Sequence, residues 1–315
     1  MAGLLSRDVD VASSFNNSIE SLTRDVYVKP LHSHNDYWRH DPLIDAVKVG
    51  AQSIEADVFV FTEGYTLTQT LPGGKTQDTK FGTDDIYVGH NQVFLKPENT
   101  LNALYLDNLY NWLEFSNPKF TPNITLVEAH DTKYSIWWNQ PEEPVYLWLD
   151  FKTQGNDTYP SVKKYFQRFI DEDYLAYYDT EQQKHVPGPV IVTITGNLPT
   201  ELVKADSKRY FYLDAPLANL TSDDWGNLSR VASGSLESVL DQQSYKSAQI
   251  SDFSDDDKKQ LKDAFDNAHS KGLKTRVWGD ITWPNSVLDS HLRDIFSLGG
   301  DFLNVDNLTH AATLL

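Results

Sequence analysis

From residue 26 onward, short apolar runs alternate with segments whose apolar residues recur at helical spacing. The runs fall near 26–32, 53–60, 86–90, 144–151, 189–195, 210–214, 246–250, 274–279 and 302–305. Their length and content of β-branched and aromatic residues predict strands. Asn99 to Glu114 carries apolar residues at 101, 104, 105, 109, 112 and 113, one stripe of a helix. Ser161–Ile170, Pro199–Asp206, Asp255–Ser270 and Asn285–Leu298 follow the same rule, and a shorter helical pattern runs from Pro42 to Val49 and ends at Gly50. Strand–helix alternation predicts a parallel α/β sheet, and at this length a TIM-type (β/α)8 barrel. Nine runs are one more than that barrel uses. The run at 86–90 is therefore demoted, or else 62–85 is a hairpin, turning at Pro72-Gly73-Gly74, whose return arm carries His90. Residues 1 to about 24, with an amphipathic hint from Val9 to Leu22, read as an N-terminal arm or helix, and 25–315 as one catalytic barrel domain.

Composition narrows the class. With 315 residues and 40% hydrophobic content the chain can bury one large core. No apolar run is long enough to span a bilayer, and the first residues lack the apolar core of a signal peptide. The absence of cysteine excludes disulfides, thiolate metal sites and cysteine nucleophiles. A net charge of −18 disfavours nucleic acid as a partner, because phosphate backbones bind basic surfaces. Glycosylation sequons begin at Asn16, Asn123, Asn156, Asn219, Asn227 and Asn307, more than composition alone supplies, which favours a secreted glycoprotein. A monomer is expected.

The candidate chemistry lies at the ends of the apolar runs. Glu55 and Asp57 are two apart, so on a strand they share a face. Two carboxylates on an apolar strand repel each other and lose hydration, so they call for a cation. Mg²⁺ or Ca²⁺, which take oxygen ligands, suit that role. His32, His34, Asn35 and Asp36 end the preceding strand; His90 follows Ile86–Gly89; Asp150 and Lys152 end the run at 144–151; Trp278 and Asp280 end the run at 274–279. In a parallel barrel all these ends share one face.

In this order the motifs resemble the PLC-like phosphodiesterase superfamily, which includes glycerophosphodiester phosphodiesterases and the sphingomyelinase D enzymes of spider venoms and fungi. The opening HSHNDYWR is most similar to the fungal branch that includes the altered-inheritance-of-mitochondria protein 6 group. The similarity runs from Leu31 to about Asp280. It implies a metal-dependent phosphodiesterase acting on a small-molecule or lipid-headgroup phosphodiester. It implies Glu55, Asp57 and Asp150 as metal ligands, and Lys152 as a phosphate contact. Trp278 would line the substrate pocket, and His32 and His90 would be the catalytic histidines. Asn35 then follows the first histidine as a polar substrate contact, and His34 is the alternative for that histidine's role. One histidine would act as base or nucleophile and the other as acid, since imidazole titrates near working pH. Ser33 and Asn91 stand where glycerophosphodiesterases carry Arg and Asp, which counts against glycerophosphodiesters as substrate. Pro97-Glu98-Asn99-Thr100 is similar to a signature of those enzymes but follows Gly89-His90, and it reads as a helix cap.

Two rival classes fit parts of the pattern. A glycoside hydrolase on the same barrel would use Glu55 with Asp57, or Glu128 with Asp150. Two carboxylates on one strand face lie too close to flank a glycosidic bond. A catalytically inactive carbohydrate-binding protein would use aromatic clusters such as Trp137-Trp138 and Tyr146-x-Trp148, which otherwise read as core, while His130-Asp131 reads as loop structure.

Overall fold

The computed structural model describes residues 19–119, 133–222 and 224–315. The amphipathic segment from Val9, Asn16, Asn123, Glu128 and His130-Asp131 lie outside the described residues.

Eight strand positions form the barrel. These are β1 (Lys29–Ser33), β2 (Ala51–Val60), β3 (Val145–Phe151), β4 (Val190–Gly196), β5 (Phe211–Leu213 and Ala215–Pro216, interrupted at Asp214), β6 (Val231–Ser235), β7 (Lys274–Trp278) and β8 (Phe302–Val305). Neighbours pair in parallel in the order β5, β4, β3, β2, β1, β8, β7, β6, β5. The first half of β5 pairs with β4 and its second half with β6, so the bend at Asp214 closes the ring. The α/β barrel predicted from the alternation of runs is thus present, with helices at Ile44–Val49, Asp107–Ser116, Gly155–Asp171, Thr200–Ala205, Asp255–Ser270 and Asn285–Ser297 between strands.

Register fixes what faces inward. Ser53, Glu55 and Asp57 of β2 pair with Tyr146, Trp148 and Asp150 of β3. Tyr146 and Trp148 cluster with Ile191, Tyr212, Val231 and Phe302 from four other strands, which is possible only inside the ring. This aromatic plug fills the lower barrel, as layered side chains do in such folds. One layer higher the same faces carry carboxylates.

Three details depart from, or refine, the sequence expectations. The stretch at 246–250, expected as a strand, is helical: Gln242–Ala248 forms a helix whose start is capped by Asp241, which accepts from the backbone N–H of Gln243 and Ser244. The strand in its place is β6, with sequence VASGS. Its small polar residues look like a loop, but the barrel buries Val231, Ala232 and Ser233 between two parallel neighbours. The run at 86–90 is an extra strand, Ile86–Val88, antiparallel to β2, after a hairpin of Tyr65–Thr70 and Thr76–Phe81. Finally, the end of the stretch expected as an N-terminal arm or helix packs against the barrel domain. Ile19–Thr23 is a helix whose Ile19 and Leu22 are buried in the main hydrophobic cluster, and Thr23 Oγ1 accepts from Trp138 N.

Candidate active site

The C-terminal strand ends surround a cavity of about 710 Å³, whose wall includes His34, Asn35, Glu55, Asp57, His90, Asp150, Lys152, Arg276 and Trp278. All the site residues proposed from sequence therefore converge here, except His32, which lies below the cavity wall.

The acidic centre comes from β2 and β3. One oxygen each of Glu55, Asp57 and Asp150 lie within 4.8 Å of one another. Asp57 and Asp150 are cross-strand partners, and β2's two-residue repeat adds Glu55 to the same face. Burial pushes the Asp57 carboxyl up to about 7; Lys152 opposes this, and the charges of Asp150 and Glu55 add to it. Lys152 Nζ stands 2.6 Å from Asp150 Oδ2 and 3.0 Å from Asp57 Oδ2. Glu55 behaves differently. Burial would raise it, but the Arg276 guanidinium, 3.4 Å from Oε2, and the His32 contact hold it well below the usual carboxylate range. The donor set fits a hard divalent cation. The donors are all carboxylate oxygens, they converge on one point, and their mutual repulsion is only partly met by Lys152 and Arg276. Gly196 makes room for this centre: at its φ of +74°, a Cβ would fall 2.1 Å from Asp150 Oδ1.

The two neighbouring histidines are placed differently. His32 is wholly buried, 5.3 Å edge-on from the Trp148 ring. Its Nδ1 lies 2.7 Å from Ser53 Oγ and its Nε2 3.4 Å from Glu55 Oε2. Burial, then Arg276, push its pKa down to about 3. A neutral ring with its proton on Nε2 donates to Glu55 and accepts from the Ser53 hydroxyl. His32 therefore contacts Glu55 from below and does not line the cavity. Strand alternation gives the reason: β1 aims His32 into the barrel below the carboxylates, and two residues later His34 emerges at the cavity. His34 Nε2 is 3.8 Å from Glu55 Oε2, and its Nδ1 lies 2.8 Å from Asp306 Oδ1, an acceptor that fixes the proton on Nδ1.

His90 also lines the cavity. Its Nδ1 is 3.1 Å from the Tyr37 hydroxyl, which is also 2.8 Å from Asp57 Oδ2 and 2.6 Å from Asn35 Oδ1. The hydroxyl has one proton, and the shorter contacts are to oxygens. His90 Nδ1–H is then the donor to Tyr37, which leaves Nε2 with its lone pair. Asn35, at φ 49°, supplies the acceptor that orients Tyr37.

Several residues of the site went unnoticed in the sequence. Arg276 donates from Nε and Nη2 to Asn304 Oδ1 at 3.0 and 2.7 Å, and its guanidinium stacks over Trp148 at 4.9 Å. The signal for it was its two-residue spacing from Trp278 on one strand. Tyr37 sat inside the HSHNDYWR opening, and Asp306 just past the last strand. Asp214, at the bend of β5, also faces the cavity. It accepts from Ser233 N at 3.0 Å and from Ser233 Oγ and Thr195 Oγ1, and burial pushes it up to about 6. It too ended an expected strand, 210–214, and so met the rule that singled out Asp150.

Residues 20–214 match the family described as the AIM6-like phosphodiesterase domain. The altered inheritance of mitochondria protein 6 of Eremothecium gossypii is 34% identical, over 98% of this chain and 74% of that protein. Proteins of the same name from Saccharomyces cerevisiae and Candida glabrata are 33% and 34% identical, over 95% and 94% of this chain and 74% and 73% of their own lengths. No solved structure matches.

Proposed function

This chain belongs to the AIM6-like phosphodiesterase domain family, and from that premise we propose that it cleaves a small phosphodiester or phospholipid headgroup by acid–base chemistry of His34 and His90 beside a divalent metal ion. The observation that carries this reading is the convergence of three carboxylates, Lys152 and two differently oriented histidines on one cavity.

Glu55, Asp57 and Asp150 would hold Mg²⁺ or Ca²⁺, which supplies positive charge to a nonbridging phosphate oxygen. Lys152 adds an ammonium that turns from its carboxylate partners toward the phosphate. Arg276 and His32 keep Glu55 ionised and aimed. Asp306 and Tyr37 fix the rings of His34 and His90 so that each offers Nε2. One Nε2 takes a proton from, or attacks in place of, the nucleophile; the other, protonated, gives its proton to the leaving oxygen. Trp278 and the polar wall of Thr195, Asp214, Ser233 and Ser235 face the leaving group or headgroup.

The geometry argues against a glycosidase. Glu55 and Asp57 leave the same face of one strand, each pairing with its β3 neighbour, and so do not flank a bond from opposite sides as paired glycosidase carboxylates do. A secreted, glycosylated form of the protein belongs to the same proposal. Asn156, Asn219 and Asn307 are exposed, and an endoglycosidase mobility shift on protein from its native host checks it.

The experiment for function is a panel of glycerophosphocholine, sphingomyelin, lysophosphatidylcholine, phosphoinositides and an aryl phosphodiester, with added Mg²⁺ or Ca²⁺ and with chelator. Turnover of at least one diester, abolished by chelator, is expected. No turnover of any by the metal-loaded protein overturns the reading.

A further inference from the structure

The mouth of the cavity carries apolar residues that the cavity does not use. Trp38 is 59% exposed, Val93 67%, Phe94 56% and Trp283 75%. Trp38 follows β1 and packs its ring 5.0 Å from His90, on the cavity wall. Val93 and Phe94 lie in the turn Gln92–Phe94, just after His90; the Asn91 side chain accepts from Val93 N and fixes that turn. Trp283 lies five residues beyond Trp278 on the loop leaving β7. Asp280 anchors this loop by accepting from Ile281 N at 2.7 Å and pairing with His291 Nδ1 at 2.9 Å. Two of the loops leave the C-terminal ends of β1 and β7, and Gln92–Phe94 follows the extra strand Ile86–Val88, which pairs with the C-terminal end of β2; β2, β1, β8 and β7 are consecutive positions in the ring. Other exposed aromatics (Tyr27, Trp138 and Phe296) lie in the segments that lead into β1, β3 and β8, toward the opposite end of the barrel.

From this arrangement we propose that the rim formed by Trp38, Val93, Phe94 and Trp283 docks the enzyme on a zwitterionic phospholipid bilayer, with the cavity mouth facing the headgroups. The proposal rests on the phosphodiesterase reading and narrows its substrate to a diester within a lipid surface. A small soluble diester fits inside 710 Å³ and leaves Val93, Phe94 and Trp283 without a function, since none of them lines the cavity. Exposed apolar side chains held rigidly around a cavity mark an interaction site. Tryptophan, with an apolar ring and one N–H donor, is suited to the headgroup boundary of a bilayer. The net charge of −18 selects among surfaces, because an anionic leaflet repels the protein. No described helix is long and apolar enough to cross a membrane, so the contact is peripheral.

The test is co-sedimentation of the full chain with sucrose-loaded phosphatidylcholine vesicles, with and without a fraction of phosphatidylserine. Wild type should bind the zwitterionic vesicles, and less tightly as phosphatidylserine is added. Val93→Ser with Phe94→Ser and Trp283→Ala should weaken binding at least tenfold, leaving the thermal midpoint and turnover of a soluble aryl diester unchanged. Phe94→Trp alone should retain binding, which separates loss of the aromatic from damage to the turn. Absence of wild-type binding to phosphatidylcholine vesicles, or equal binding by the triple variant, overturns the proposal. Because sedimentation needs no turnover, its result stands whether or not the panel finds a cleaved diester.

Discussion

His34 Nδ1 lies 2.8 Å from Asp306 Oδ1, at the ends of adjacent strands β1 and β8. A carboxylate on one ring nitrogen fixes the tautomer and leaves the other for chemistry, whereas His32, two residues earlier, is spent on Ser53 and Glu55. His34→Ala should lower turnover of a phosphodiester by about two orders of magnitude or more, the usual worth of a positioned acid or base. His90→Ala should do the same, and the double variant should be little worse than the poorer single one, since the two act as a unit. His32→Ala should act through metal affinity and stability. Rates measured at saturating metal decide between the two histidines: a full rate in His34→Ala hands the role back to His32.

Metal should stabilise the fold through the carboxylates it joins. At about 100 times its dissociation constant, a ligand of the native state adds about 2.7 kcal/mol. The thermal midpoint of wild type should therefore rise with Mg²⁺ or Ca²⁺. Asp57→Asn and Glu55→Gln should lose that rise while remaining folded in chelator. Asp57→Asn removes one of the mutually repelling carboxylates and should be at least as stable as wild type there. A metal-dependent shift of undiminished size in both variants would reject the assignment.

Most of the barrel and the acidic centre were legible because both follow from spacing. Glu55 and Asp57, and Asp150 and Lys152, carry a two-residue repeat at the end of an apolar run, and that repeat is a direct consequence of strand geometry. What stayed hidden depended on partners distant in the chain. Val231–Ser235 has no apolar run of its own and is a strand because β5 and β7 flank it. His32 and His34 share one face, and which of them reaches the cavity depends on height above the aromatic plug, which no local pattern encodes. Arg276 reaches Glu55 across 221 residues of sequence.

Gly196 tests how closely the site is built. At φ +74° it ends β4 against Asp150, and a Cβ would also come 2.7 Å from Phe151 O. Gly196→Ala should destabilise the protein by about 1–3 kcal/mol, the cost of a strained backbone conformation. It should weaken metal binding more than Gly73→Ala, a positive-φ glycine with nothing within 4 Å of its Cβ site. Calorimetric titration of both variants with Ca²⁺ measures the difference; equal affinities would show that Asp150 is not a ligand.

Asp214 gives a pH dependence whose sign can be fixed. Burial outweighs the hydrogen bonds from Ser233 and Thr195 and lifts its carboxyl from 3.8 to about 6. Between those two values the folded chain holds a proton that the unfolded chain has released. Stability from this group is therefore complete at low pH and is lost as pH rises through the window. A shift of about two units corresponds to about 3 kcal/mol, all of it lost above about pH 6. In Asp214→Asn the amide oxygen can still accept from Ser233 N, while the Ser233 and Thr195 hydroxyls turn to accept from the amide N–H groups, and nothing titrates. Relative to wild type, the variant should gain up to about 3 kcal/mol on going from about pH 4 to about pH 7. Denaturant melts at several pH values, in chelator so that metal binding does not contribute, measure this difference. A stability gap independent of pH would mean that Asp214 is ionised throughout, held by Arg276 across the cavity more strongly than burial opposes it.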